Sequence, residues 1–227
     1  MSTTPQELSR IYRRRFVRTS EYRNQVWQVL TRHFFNRWVR PEFVVLDLGC
    51  GYGEFINNIA AAKKHAMDLN PEARGHLVQG VNFIEQDCSA PWAAAENSLD
   101  VVFSSNFFEH LPDKACLNLT LRQALLALKP GGRLIAMGPN IKYLPGEYWD
   151  FYDHSVILTE LSLAEALELE GFVVEKCVPR FLPFTMVNVR RVPLIFVRLY
   201  VSIPWLWLFM GKQFLLVAQK PNSSSSA

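Results

Sequence analysis

Short apolar runs alternate along this chain with longer segments whose apolar residues recur every three or four positions. The run Phe43-Val-Val-Leu-Asp-Leu48 is apolar and β-branched on both alternating sets, which predicts a strand buried on both faces. Similar runs at 65–69, 81–85, 99–104, 133–137, 172–178 and 213–219 predict six more strands. Between them lie helical patterns. Residues 20–38 put Val26, Trp27, Leu30, Phe34 and Trp38 on one face and arginines on the other, and Pro41 ends that segment. Residues 54–64 turn Phe55, Ile59 and Ala60 inward, and 113–128 align Leu117, Leu121, Leu125 and Leu128. Ser162-Leu-Ala-Glu165 has the form of a capping box, so a helix is expected from Ser162 to Gly171. Lys129-Pro-Gly-Gly132 reads as a turn. Strands alternating with helices imply a parallel sheet covered on both faces.

Composition adds bounds. The 227 residues are 49% hydrophobic and 20% charged, ordinary globular values, and are enough for one sizeable domain, expected over 1–220. The tail 221–227, Pro-Asn-Ser-Ser-Ser-Ser-Ala, is expected to be disordered. A net charge of +3 does not argue for a nucleic-acid partner. Residues 1–40 are expected to form N-terminal amphipathic helices, and within them 10–40 nevertheless carry nine arginines against one acid, Glu21. That is either the solvated face of a helix or a surface for an anionic acceptor or lipid headgroup. Cys50, Cys88, Cys116 and Cys177 form no C-x-x-C pair and no His cluster accompanies them, so neither a metal site nor a disulfide framework is expected. The first residues contain no apolar h-region, so a cytoplasmic location is expected. Residues 180–211 form a very apolar insert before the last strand. Its densest part, 194–210, is short for a membrane span and is broken by Arg198 and Pro204, which predicts two short helices. They are read either as a cap over the sheet edge or as a surface that meets lipid or a lipid-linked substrate at the inner face of a membrane.

The chemistry begins where the first strand ends. Asp47 is followed by Gly49, Gly51 and Gly53, and then by a helix. Glycines let the backbone turn sharply and approach a ligand closely, and a helix N-terminus offers free N–H groups to a carboxylate or phosphate. A dinucleotide fingerprint would read G-x-G-x-x-G. Here the third glycine comes one position early, with Glu54 in its place, and Asp47 suits an ammonium better than a phosphate. An amino-acid-like moiety fits that mixture. A nicotinamide-dependent oxidoreductase is the alternative from another enzyme class.

Asp47-Leu-Gly-Cys-Gly-Tyr-Gly53 resembles the D-x-G-x-G-x-G loop of class I S-adenosylmethionine-dependent methyltransferases. The resemblance implies a Rossmann-like α/β three-layer sandwich, with a mostly parallel seven-stranded sheet whose last strand is antiparallel. It also implies that the loop cradles the methionyl part of the cofactor. Asp68, with Leu69 beside it, stands where the family has an acid on the ribose hydroxyls. Asp87-Cys88 is similar to the adenine contact, and Asn106-Phe-Phe-Glu-His-Leu111 to the segment flanking the sulfonium and the acceptor. Lys129-Pro-Gly-Gly132 resembles the family's turn before the fifth strand.

Methyl transfer requires aligned donor and acceptor and, for a hydroxyl, a base. The stretch 138–154 gathers aromatics with Asp150, Asp153 and His154. His154 is expected as general base, with His110 beside Glu109 as second candidate. Tyr143, Trp149, Asp150 and Asp153 are expected to bind the acceptor, because aromatics beside carboxylates suit sugar rings. The aromatic and acidic run and the apolar insert resemble small bacterial methyltransferases of cell-envelope polysaccharide and glycolipid synthesis. That implies a saccharide hydroxyl as acceptor. A quinone or other small aromatic or lipid acceptor is the alternative, and a non-catalytic membrane-associated binder of S-adenosylmethionine is the third class. Tyr22 and Arg23 are placed where a lid over the cofactor would sit.

Overall fold

The computed structural model describes residues 20–184 and 191–222. The first nineteen residues, the middle of the apolar insert and most of the tail expected to be disordered lie outside them. The strands are β1 (Val44–Leu48), β2 (Lys63–Asp68), β3 (Val81–Glu85), β4 (Leu99–Ser105), β5 (Leu128–Pro139), β6 (Val173–Val178) and β7 (Gln213–Gln219). They form one sheet in the order β3-β2-β1-β4-β5-β7-β6. The pairs among β1 to β5 are parallel, and β7 runs antiparallel to both β5 and β6. The α/β sandwich expected from the sequence is therefore present, with its antiparallel strand inserted between the fifth and sixth.

The two covering layers follow from the period of two along each strand. On β4, Val101 and Phe103 enter one core cluster and Val102 enters the other. On β1, Val45 goes one way and Leu46 and Leu48 the other. The layer around Leu46 and Val102 is built by α3 (Lys114–Ala127) and α4 (Glu160–Leu169), through Leu117, Leu121, Leu163 and Leu167. The opposite layer is built by α1 (Ser20–His33), α2 (Glu54–Asn58), α5 (Leu194–Ser202) and α6 (Pro204–Met210). It is rich in aromatics. Phe34 stacks on Phe181 at 4.4 Å, and Phe55 on Phe103 at 3.6 Å.

Five boundaries differ from the sequence pattern. The helix expected over 54–64 stops at Asn58, whose side-chain amide donates to the Glu54 carbonyl at 2.8 Å and so competes with continuation of the helix. Ile59 is already extended, and β2 begins at Lys63 rather than His65. The amphipathic segment 20–38 tightens after His33 into a 3-10 turn, Phe35–Arg37, which buries the adjacent Phe34 and Phe35 together. The capping box lies three residues earlier than expected. Thr159 is the N-cap and exchanges hydrogen bonds with Ser162, which is the third helical residue and not the cap. Finally, Lys129-Pro-Gly-Gly132 is not a turn before β5 but an irregular start of it. Gly131 takes φ +78° and its N–H bonds to the Lys220 carbonyl, so the ladder with the outgoing chain continues.

Candidate active site

At the carboxyl end of β1 the chain enters three left-handed glycines, with φ +68° at Gly49, +54° at Gly51 and +73° at Gly53. L-residues avoid this region, and glycine enters it freely. The turn is anchored on β2. The N–H groups of Gly49 and Cys50 donate to the Met67 carbonyl at 2.9 and 3.1 Å. The Asp68 carboxylate then accepts from the N–H of Gly51 and of Asn70, both at 2.8 Å, which fixes its direction at the tip of β2. Phe107, after β4, lies directly over Gly49.

Three carboxylates cluster beneath this loop. Burial pushes the Asp47 carboxyl well above its usual range, opposed by the N–H of Ile56 and reinforced by Glu54 and Asp68. Burial also raises Asp68, against the N–H groups of Asn70, Gly51 and Leu69. A ligand carrying positive charge relieves both costs. Asn106 adds a second signal. It sits at φ +51°, its amide donates to Ser105 Oγ, and its Oδ1 is buried without a hydrogen-bond partner. A buried acceptor left open in a cavity wall fits an ammonium or hydroxyl donor on a ligand.

Asp47, Gly49, Gly51, Asp68, Leu69, Asp87, Cys88 and Asn106 line a single cavity of about 950 Å³. Gly53 shapes the loop behind it, where a Cβ would meet Leu77 at 2.5 Å. Asp87 lies after β3, its carboxylate accepting from the N–H and hydroxyl of Ser89 at 2.8 Å. Cys88 is buried, its thiol pushed up to about 12 by that burial. This volume is at the upper end for one small ligand, so cofactor and acceptor can share it.

The acceptor side departs from the sequence expectation. His110 and Asp153 line the cavity together, with His110 Nδ1 3.1 Å from Asp153 Oδ2. His154, expected as the base, is buried behind them and does not line the cavity. Its ring stacks on Phe151 at 4.8 Å and packs edge-on against Tyr148 and His110. Tyr143, Trp149 and Asp150 also lie outside the cavity lining. The Arg180 guanidinium covers the Tyr143 ring at 4.7 Å, Trp149 packs edge-on against Tyr148, and Asp150 is exposed. Of the four residues expected to bind acceptor, Asp153 alone reaches the cavity.

Glu109, His110 and His154 bring ligand-capable atoms within 4.8 Å of one another, a grouping that sequence spacing does not show. Burial raises the Glu109 carboxyl to about 7 from 4.5, with His110 opposing and Asp153 adding. A carboxyl raised in this way holds its proton in the folded chain where the unfolded chain has already lost it. Its contribution therefore favours folding least above pH 7, and stability falls as pH rises from 4.5 to about 7. At about 1.4 kcal/mol per pH unit the effect is on the order of 3 kcal/mol. The expected result is a shallower decline of urea-unfolding stability over this window in Glu109→Gln. Parallel curves for the two proteins would remove Glu109 as its source.

The far wall of the cavity was only partly legible. Tyr22 and Arg23 of α1 do line it, as a lid would. The Tyr22 hydroxyl donates to the Val192 carbonyl and accepts from the Val192 N–H, both at 3.0 Å, tying α1 to the insert. Arg23 pairs with Glu54 at 3.0 Å. Phe196, Leu199 and Tyr200 of α5, and Leu206 and Met210 of α6, complete an apolar wall whose single clue in sequence is its hydrophobicity. Gln213, at the start of β7, lines the cavity with its Oε1 buried and open.

The methyltransferase domain family matches residues 9–176, and the chain belongs to that family. Its cofactor is S-adenosylmethionine, which leaves as S-adenosylhomocysteine. Among curated proteins it is similar to phosphoethanolamine N-methyltransferase 1 of Triticum aestivum, with 31% identity over 100 residues. That match covers 40% of this chain and 20% of the relative, so this chain spans about a fifth of that protein's length. Among solved structures, a SAM-dependent methyltransferase from Archaeoglobus fulgidus superposes with a TM-score of 0.63 at 21% identity, covering 87% of this chain and 94% of that one. The [4+2]-cyclase SpnF superposes with a TM-score of 0.65 at 16% identity, covering 98% of both. At such identities the superpositions report the fold alone. The seven-stranded sheet and the family match agree on a Rossmann-like methyltransferase.

Proposed function

We propose that this enzyme methylates a hydroxyl of a sugar carried on an apolar chain, a cell-envelope saccharide or glycolipid, with His110 as the base. The observation that carries the proposal is the position of the His110–Asp153 pair. It lines the same cavity as the glycine-loop residues and the apolar side chains of α5 and α6. When bound, S-adenosylmethionine supplies an electrophilic methyl carbon on a sulfonium centre. Asp47, the glycine loop and Asp68 would hold its methionyl and ribose parts, and Asp87 and Cys88 would flank its adenine. Asp153 holds one ring nitrogen of His110, so that the other can take the hydroxyl proton as the acceptor oxygen bonds to the methyl carbon and the carbon–sulfur bond breaks, its electron pair staying on the sulfur of departing S-adenosylhomocysteine. Asn106 Oδ1 and Gln213 Oε1, both open acceptors in the wall, suit other hydroxyls of a sugar. The apolar helices exclude water from the transfer.

The wheat relative's name suggests methylation of nitrogen on phosphoethanolamine. A phosphate needs cations, and Arg23 is the one lysine or arginine among the described residues lining the cavity. It is already paired with Glu54, and Asp87 and Asp153 are further acids of the same lining. An uncharged hydroxyl acceptor fits this wall better. The test is transfer of label from radiolabelled S-adenosylmethionine into fractionated extract of the source cells. Label in the polysaccharide or glycolipid fraction is expected. Label confined to phosphoethanolamine derivatives or to quinones would replace the acceptor class while keeping the methyltransferase.

A further inference from the structure

The two helices of the insert have a second apolar face. Tyr200, Val201 and Trp207 seat α5 and α6 in the core, and the indole N–H of Trp207 bonds to the Tyr200 carbonyl at 2.8 Å. The pair is therefore fixed in place. Yet Ile195 and Phe196 on α5, and Trp205, Leu208 and Phe209 on α6, stand more than half exposed. Seven- and nine-residue helices with this much outward apolar surface are unusual on a protein surface that meets only water. Phe196, Leu199 and Met210 belong to both faces, lining the cavity while remaining about half exposed. The cavity rim and the outer surface are thus continuous.

The insert's own charges have one sign, although Lys212 at its end pairs with Glu147 of the preceding loop at 2.6 Å. Residues 180–212 contain Arg180, Arg190, Arg191, Arg198 and Lys212, and no Asp or Glu. Arg191 and Arg198 are exposed, and α1 contributes Arg32 close by, since Arg198 and Arg32 together depress the His33 imidazole after burial has done so. A protein partner or a second copy would have to bring its own acids to this rim. No described helix is long and apolar enough to cross a membrane. Short helices with apolar residues, an exposed tryptophan and basic neighbours are suited to lying in the headgroup layer of a bilayer.

We propose that the outer face of α5 and α6 docks onto an anionic lipid bilayer, so that an amphiphilic acceptor passes from the membrane into the cavity along Phe196, Leu199 and Met210. This deepens the reading of the acceptor as an amphiphile, but its test contains no acceptor. The full chain, loaded with S-adenosylhomocysteine, would be sedimented with phosphatidylcholine vesicles with and without phosphatidylglycerol. Binding is expected to the phosphatidylglycerol vesicles, weakening with salt. Trp205→Ser with Phe209→Ser, two residues outside the cavity lining, should weaken it roughly tenfold or more, and Arg191→Ser with Arg198→Ser should reduce it while leaving S-adenosylhomocysteine affinity intact. Absent sedimentation, or binding unchanged in the Trp205 and Phe209 variant, would overturn the proposal. So would equal binding to phosphatidylcholine alone. A dimer in solution that this variant dissolves, without vesicle binding, would assign the face to a second copy. Vesicle binding together with label in a water-soluble product would retain the docking and remove the amphiphilic acceptor.

Discussion

Gly49→Ala is expected to lower affinity for S-adenosylhomocysteine roughly a thousandfold. The cause is local and double. At φ +68° an L-residue costs about 1–2 kcal/mol relative to glycine. A Cβ here would also stand 2.2 Å from two carbons of the Phe107 ring and 2.8 Å from its Cβ. Those are not contacts that a flexible side-chain end can yield, because Phe107 is held near its own backbone. Either the loop shifts or Phe107 turns into the cavity, and overpacking of this kind costs about 1–3 kcal/mol more. Together these approach the 4 kcal/mol that a thousandfold change requires. Calorimetric titration of wild type, Gly49→Ala and Gly49→Ala with Phe107→Ala separates the two terms. The double variant should recover the steric part but not the backbone part. Unchanged affinity in Gly49→Ala would mean that the loop does not touch the cofactor as proposed.

This loop was legible because every determinant is consecutive. Asp47 ends a buried strand, and the glycines after it occupy the backbone states that only glycine enters cheaply. Asp68 was legible for a related reason, since the parallel pairing of β2 with β1 sets its tip beside the loop. The acceptor side depends on contacts between segments more than forty residues apart. The N–H groups of Ser155 and Val156 both donate to the Glu109 carbonyl, at 2.8 and 3.1 Å, and this lashes the stretch after β5 against the turn after β4. It brings Asp153 to His110 and turns His154 inward. The aromatic run resembles a binding surface in sequence, but its backbone turns divide it. Tyr148 and Phe151 are buried, and Tyr152 is fully exposed. The truncation of α2 was illegible for a different reason. Asn58 competes for its own helix's carbonyl, a choice that helical periodicity does not register.

His110→Ala is expected to lower turnover by roughly a hundred- to ten-thousandfold while S-adenosylhomocysteine affinity stays near the wild-type value. The imidazole lines the cavity without belonging to the glycine loop, so its loss should fall on the proton transfer and not on cofactor binding. Asp153→Asn should give a smaller loss, because it keeps a polar partner at Nδ1 but no longer stabilises the charged imidazolium. His154 provides the contrast. Its ring stacks on Phe151 and meets Tyr148 at 4.7 Å, so a phenylalanine can occupy the same slot. His154→Phe should therefore keep most of its turnover and show its effect, if any, in the unfolding midpoint. The decisive measurement is kcat for the three variants on one labelled acceptor, with cofactor affinity and unfolding followed in parallel. Loss of turnover in His154→Phe, with cofactor binding and stability intact and His110→Ala active, would transfer the base to His154. The reverse pattern would leave His110, reached through a contact that no sequence neighbour reveals, as the group that takes the proton.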